Sequence, residues 1–169
     1  ALVEAKKCVQ EGLLLHIGLC NATVSILERA KVTLGPDFAI GAVQNMWSLY
    51  DRDAEVALQP DAAKTSKKGV LAWCAKNNVP FVAYAPLGGL KARRGERTLP
   101  PALLGLAQTM GISPQAAALA CLLARGQQLG ARVLVLPGAR TAEHAADSVG
   151  AAHVVLTDAQ VDAVMPVQW

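Results

Sequence analysis

Four short apolar runs, rich in branched residues, recur along the chain at positions 13–19, 39–43, 80–84 and 132–136. Unbroken runs of this length predict strands buried on both faces rather than one-sided strands, which would alternate apolar and polar residues. Between them the spacing changes to the helical period, and the helix boundaries carry stop and start residues. Positions 1–11 predict a helix closed by Gly12, and Thr23 is the N-cap of a helix with Ile26, Leu27 and Ala30 on one face. Helical spacing resumes over 69–76. Positions 100–110 predict a helix closed by Gly111, and Ser113 with Pro114 opens another that Gly126 is expected to end. Thr141 caps the helix after the fourth run, and Thr157 with Gln160 forms a capping box for a last short one. The stretch from Met46 to Lys68 is polar and irregular, and its first half reads as loop.

Strand followed by helix, four times, predicts an α/β fold with parallel strands and outer helices, either an open sheet covered on both faces or a barrel. In both, chemistry collects at the carboxyl ends of the strands. That rim would carry Cys20 and Asn21, then Gln44 and Asn45, then Tyr84, and last the turn from Gly138 to Thr141. The turn joins a strand to a helix N-terminus whose backbone N–H groups, with Arg140 beside them, suit a phosphate; an ordinary connection would look the same.

The 169 residues are 53% hydrophobic and 17% charged, enough to bury one core in a single domain spanning 1–169. The net charge of +3 and the scarcity of aromatics argue against nucleic acid. No apolar run has membrane-spanning length, and Ala1 opens a helix rather than a signal peptide, so a soluble protein is expected. Cys8, Cys20, Cys74 and Cys121 lack metal-ligand spacing and lie in apolar surroundings, which suggests packed free thiols without disulfide or metal, and hence a cytoplasmic protein in a reducing compartment.

At the strand ends the sequence resembles the C-terminal half of the aldo-keto reductase family. Ile17-Gly18-Leu19-Cys20-Asn21 is similar to the family's Ile-Gly-Val-Ser-Asn, Val43-Gln44-Asn45 to Val-Gln-Asn, and Ala83-Tyr84-Ala85-Pro86-Leu87-Gly88 to Ala-Tyr-Ser-Pro-Leu-Gly. Leu136-Pro137-Gly138-Ala139-Arg140-Thr141 resembles Ile-Pro-Gly-Ala-Arg-Thr, and Gly111-Ile112-Ser113-Pro114-Gln115 resembles Gly-Val-Ser-Pro-Ala. All occur in the family's order. The resemblance implies a TIM (β/α)8 barrel of which these units are the C-terminal half-barrel, binding NADP(H) and reducing aldehydes or ketones by hydride transfer.

By matching position, the resemblance implies that Asn21 and Gln44 bind the nicotinamide carboxamide, which needs both a donor and an acceptor. Tyr84 would stack on the nicotinamide, and the backbone near Leu87 with the basic residues Lys91, Arg93, Arg94 and Arg97 would cover the pyrophosphate, unless those cations form only a solvated loop. Gly138, Ala139 and Arg140 would hold the adenosine 2′-phosphate with His144, where many members have Arg or Gln, and Asp147 and Ser148 would lie near the adenine. Cys20 replaces the family's Ser and Ala85 another Ser, removing two hydroxyls. His16 and His153 match no functional position and read as packing and surface; Trp47 and Trp169 suit the core or a substrate-pocket wall.

The resemblance places the catalytic Asp, Tyr, Lys and His in the family's first half, and Tyr50 and Tyr84, the only tyrosines, match neither that context nor that set. The expectation is therefore a fragment of a reductase, inactive as written, since Ala1 begins inside a helix without an initiator Met. Two alternatives stay open: a half-barrel whose unpaired edges are closed by a homodimer or partner chain while it binds nucleotide, or a cofactor-sensing or scaffold subunit.

Overall fold

The computed structural model describes residues 1–56 and 69–166. Helix α1 (Leu2–Gln10) precedes strand β1 (Ile17–Cys20), followed by α2 (Val24–Leu34), β2 (Ile40–Met46), α3 (Val70–Lys76) and β3 (Phe81–Tyr84). A short α4 (Gly89–Arg93), then α5 (Pro101–Met110) and α6 (Pro114–Gln128), lead to β4 (Val133–Leu136), α7 (Ala142–Gly150), a 3₁₀ turn (Ala151–His153) and α8 (Asp158–Val164). The strands form one sheet in the order β1-β2-β3-β4, and each neighbouring pair is parallel. Each crossover runs through at least one helix; between β2 and β3 that helix is α3, and the part of the connection at 57–68 lies outside the described residues.

Predicted caps are present. Thr23 Oγ1 accepts from Ile26 N at 3.3 Å, Ser113 Oγ from Ala116 N at 2.9 Å and Thr141 Oγ1 from His144 N at 3.2 Å. Thr157 and Gln160 close the full capping box. Each such cap contributes about 1 kcal/mol by satisfying an N–H that the helix itself cannot.

Strand alternation sorts the sheet into two unlike faces. Ile17, Val43, Phe81 and Ala83 lie on the face covered by helices, and Val43, Phe81 and Ala83 are fully buried there. The other face carries Cys20, Gln44 and Val82 in one register row with Leu134, and Met46, Tyr84 and Leu136 in the next. Leu134 and Leu136 are each 53% exposed, so the expected burial of every strand on both faces is not met within this chain. β1 and β4 each have one strand neighbour. A four-stranded parallel sheet with one covered face, one open apolar face and two edges is a half-closed barrel wall.

Three sequence expectations shift. The first strand begins at Ile17 rather than at 13: Gly12 turns with φ 76°, Leu13 N returns to Cys8 O at 2.8 Å, and Leu13 and Leu15 remain exposed. His16 stands exposed just ahead of β1, against Gly41, and not packed within a strand. Gly126 lies inside α6 rather than past its end. A Cβ there would collide with the Val133 side chain, so this glycine serves the close approach of α6 to β4.

Candidate cofactor site at the strand ends

A side-chain hydrogen bond ties the carboxyl end of β3 to that of β1. Tyr84 Oη donates to Asn21 Oδ1 at 2.8 Å, reaching from the third strand to the first across the second. Both strand ends turn through the left-handed region, Asn21 with φ 53° and Ala85 with φ 49°. Asn tolerates this conformation better than other side chains; Ala85 has no such tolerance, and residues held there typify sites that the surroundings over-determine. Asn21 N donates to Gln44 O at 2.8 Å, which pins the β1 end to β2. Half-buried Gln44 and exposed Cys20 are register partners on the same open face. The structure thus brings Cys20, Asn21, Gln44 and Tyr84 into one cluster offering a thiol, two amides and a phenol.

Asn45, next in sequence, points the other way. It is fully buried, its Oδ1 accepts from Ala22 N at 3.0 Å and its Nδ2 donates to Ala22 O at 2.9 Å. This amide pair clamps the loop after β1 to β2 and so holds Asn21 over Gln44. Period-two alternation separates the two neighbouring amides into one for the rim and one for the scaffold.

The turn after β4 forms the second part of the rim. Gly138, Ala139, Arg140 and His144 are all exposed, and α7 begins at Ala142. Its first N–H groups are already engaged: Thr141 Oγ1 takes the His144 N–H, and Glu143 holds its carboxyl below the usual range by bonding its own backbone N–H and the Thr141 hydroxyl. The carboxylate therefore sits where an anion would approach. Asp147 Oδ2 accepts from Ser113 Oγ at 2.6 Å, tying α7 to the cap of α6, and Ser148 Oγ donates within its own helix to His144 O at 2.8 Å. Leu87 is half-buried and packs against both apolar clusters of the core.

Away from the rim, the core reading of Trp47 and the packed reading of Cys74 and Cys121 agree with the structure, whereas the exposure of Cys20 and a buried ionic cluster were not expected. Trp47 is fully buried, edge-on to Phe81 with centroids 5.9 Å apart, and belongs to the core rather than to a pocket wall; Trp169 lies outside the described residues. Cys20 is exposed, whereas Cys74 and Cys121 are buried, their thiols pushed up to about 12 and about 11 by burial. Arg52, Glu55 and Arg125 form a buried ionic cluster contributed by the loop after β2 and by α6. Arg-x-x-Glu in an otherwise polar loop was its only visible signal.

A family model described as the aldo/keto reductase family matches residues 2–167. The chain belongs to the aldo/keto reductase family. It is 28% identical over 182 residues to the aldo-keto reductase yakc of Schizosaccharomyces pombe, whose name specifies NADP(+), covering 92% of this chain and 48% of that protein. The thermostable aldo-keto reductase Tm1743, solved with the inhibitor epalrestat, superposes with a TM-score of 0.74 at 26% identity, covering 97% of this chain and 54% of that one. A Klebsiella pneumoniae aldo/keto reductase solved with NADP and acetate gives 0.71 at 26% identity, covering 97% and 53%. This aldo-keto reductase chain thus spans about half the length of the relatives it matches, in agreement with four strands of a barrel wall.

Proposed function

We propose that this chain is the cofactor-holding C-terminal half of an NADP(H)-dependent aldo-keto reductase acting on small aldehydes or ketones. The observation that carries this reading is the Tyr84–Asn21 hydrogen bond at 2.8 Å beside Gln44 on the open sheet face. The donor set suits a nicotinamide: amides at Asn21 and Gln44 match a carboxamide's donor and acceptor, and a phenol ring held by its hydroxyl offers a fixed stacking face. Bound NADPH supplies hydride to a carbonyl carbon. The chain's own residues bind and orient: Asn21 and Gln44 grip the carboxamide, Tyr84 sets the ring face, and the backbone at Leu87 approaches the pyrophosphate. Gly138, Ala139, Arg140 and His144 surround the 2′-phosphate, while Asp147 and Ser148 border the adenine from positions already fastened to Ser113 and His144.

A general acid for the developing alkoxide comes from elsewhere in this reading. The Tyr50 hydroxyl is raised above its ordinary value by burial, against the opposing Arg97 charge, and Tyr50 packs on Gly88. A family-type Asp, Tyr, Lys and His set is expected in a further half of the barrel joined to the β1 and β4 edges. A second copy of the chain is the alternative closure, because two four-stranded sheets about a twofold axis make eight parallel strands and cover Leu134 and Leu136.

NADPH fluorescence quenching tests the cofactor reading. Quenching is expected with this chain, with affinity lowered about tenfold or more by Tyr84→Ala and by Arg140→Ala, the loss of one stacked ring or one charged contact. Absence of quenching by the unaltered chain would refute it. Carbonyl reduction by the isolated chain would contradict the assignment of the acid to another segment.

A further inference from the structure

The chain between β3 and α5 carries Lys91, Arg93 and Arg94, all exposed, and its helix α4 buries no residue. Packing of α4 therefore does not hold this cationic segment to the body. Its two ends meet on one side chain. At the first end Gly88, with φ 89°, lies so near Tyr50 that a Cβ would stand 2.9 Å from Tyr50 Cδ2 and 3.0 Å from Cε2. At the second end the Arg97 guanidinium carbon sits 4.8 Å from the Tyr50 ring centroid, within cation–π range. Tyr50 is itself fixed from below: Ser48 is buried, and its Oγ accepts from the backbone N–H groups of Tyr50 at 3.2 Å and Asp51 at 3.1 Å.

We infer that Tyr50 is a positioning residue, a clasp whose ring holds both ends of the 88–97 segment and so keeps its cations at the rim beside Tyr84. The geometry explains why glycine stands at 88: the positive φ and the ring contact each exclude a larger residue. It also separates Arg97 from the other three cations. Arg97 is half-buried on the ring and closes the segment, whereas Lys91 and Arg93 present charge to an anion and Arg94 stands 3.9 Å from the Glu96 carboxylate, an exposed pair that an anion would compete for. The consequence for nucleotide rests on the cofactor reading above: opening the clasp speeds pyrophosphate release without touching the nicotinamide cluster.

Amide hydrogen exchange across 88–97, without nucleotide, tests the clasp independently of any cofactor. Exchange there should rise about five- to tenfold in Tyr50→Ala and in Arg97→Met while β2 and α6 stay unchanged, and Tyr50→Phe, which keeps the ring, should match the unaltered protein. Unchanged exchange at 88–97 in a folded Arg97→Met chain would overturn the inference, as would an increase in Tyr50→Phe equal to that in Tyr50→Ala. Should Tyr50→Ala not fold, Arg97→Met and Tyr50→Phe decide. In stopped-flow NADPH release, the two opening variants should raise the dissociation rate by a similar factor. No NADPH signal from the unaltered chain would sink the cofactor reading and leave the exchange result to judge the clasp.

Discussion

Replacing Glu55 should unfold this protein more readily than replacing any surface acid. Its carboxylate accepts four hydrogen bonds: Trp47 Nε1 at 2.9 Å, Arg52 Nε at 2.8 Å, Arg52 Nη2 at 2.7 Å and Arg125 Nε at 3.1 Å. The two guanidiniums also donate to the chain's last described turn, Arg52 to Pro166 O at 2.7 Å and Arg125 to Met165 O at 3.1 Å, so the cluster ties the loop after β2 and α6 to the residues after α8. The side chains of Glu55, Arg52 and Arg125 are only 5–6% exposed, and solvent screening is weak there. Glu55→Ala leaves two buried guanidiniums short of their shared counter-charge, a loss of about 3–5 kcal/mol. Asp162, which bonds Arg125 at 3.1 Å but is half exposed, should cost about 1 kcal/mol or less when changed to Asn. Urea unfolding followed by Trp fluorescence measures both, since Trp47 reports on the cluster directly. Burial would raise the Glu55 carboxyl, but hydrogen bonds and charge from Arg52, with Trp47 and Arg125, outweigh it and hold the group below its ordinary 4.5. A lowered folded-state value means that the stabilisation is present above 4.5 and is lost as pH falls through the folded value. Glu55→Gln should therefore be less stable at pH 7 and show a smaller loss on acidification. A Glu55→Ala chain within about 1 kcal/mol of the unaltered one would refute the view that this carboxylate holds the cluster together.

Gly126→Ala should destabilise although alanine favours helix by about 1 kcal/mol, because its Cβ meets Val133 and overpacking costs about 1–3 kcal/mol; Val133→Ala in the same chain should restore stability, as thermal melts would show. A thiol reagent at pH 8 should label Cys20 in the native chain and reach Cys74 and Cys121 only after denaturation, by peptide mapping; equal native labelling of Cys74 would contradict its burial. Glu143→Gln should tighten NADPH binding about two- to fivefold by clearing a carboxylate from the α7 N-terminus, and weaker binding in a titration would show that the turn is not the phosphate site.

Strand-helix alternation, the Thr and Ser caps and the order of the rim residues were legible in the sequence because each depends on neighbours within a few positions. Thr157 and Gln160 need only one helical turn to close a capping box, and Tyr84 needs only its strand to reach the rim. Gly126 shows the limit: its local signal is a helix end, yet Val133 keeps it as glycine within α6. Separation of Gln44 from Asn45 follows from strand alternation, whereas burial of Trp47 against Phe81 and the joining of Arg125 to the Arg52–Glu55 pair depend on partners dozens of residues away. The sequence alone determined the four strand-helix units, their parallel class and which residues stand at the strand ends, but not where β1 starts or the short α4. Only the tertiary structure decided which of those side chains meet, because hydrogen bonding between Tyr84 and Asn21 and ion pairing of Arg125 with Glu55 are set by sheet register and helix approach, which local spacing does not encode.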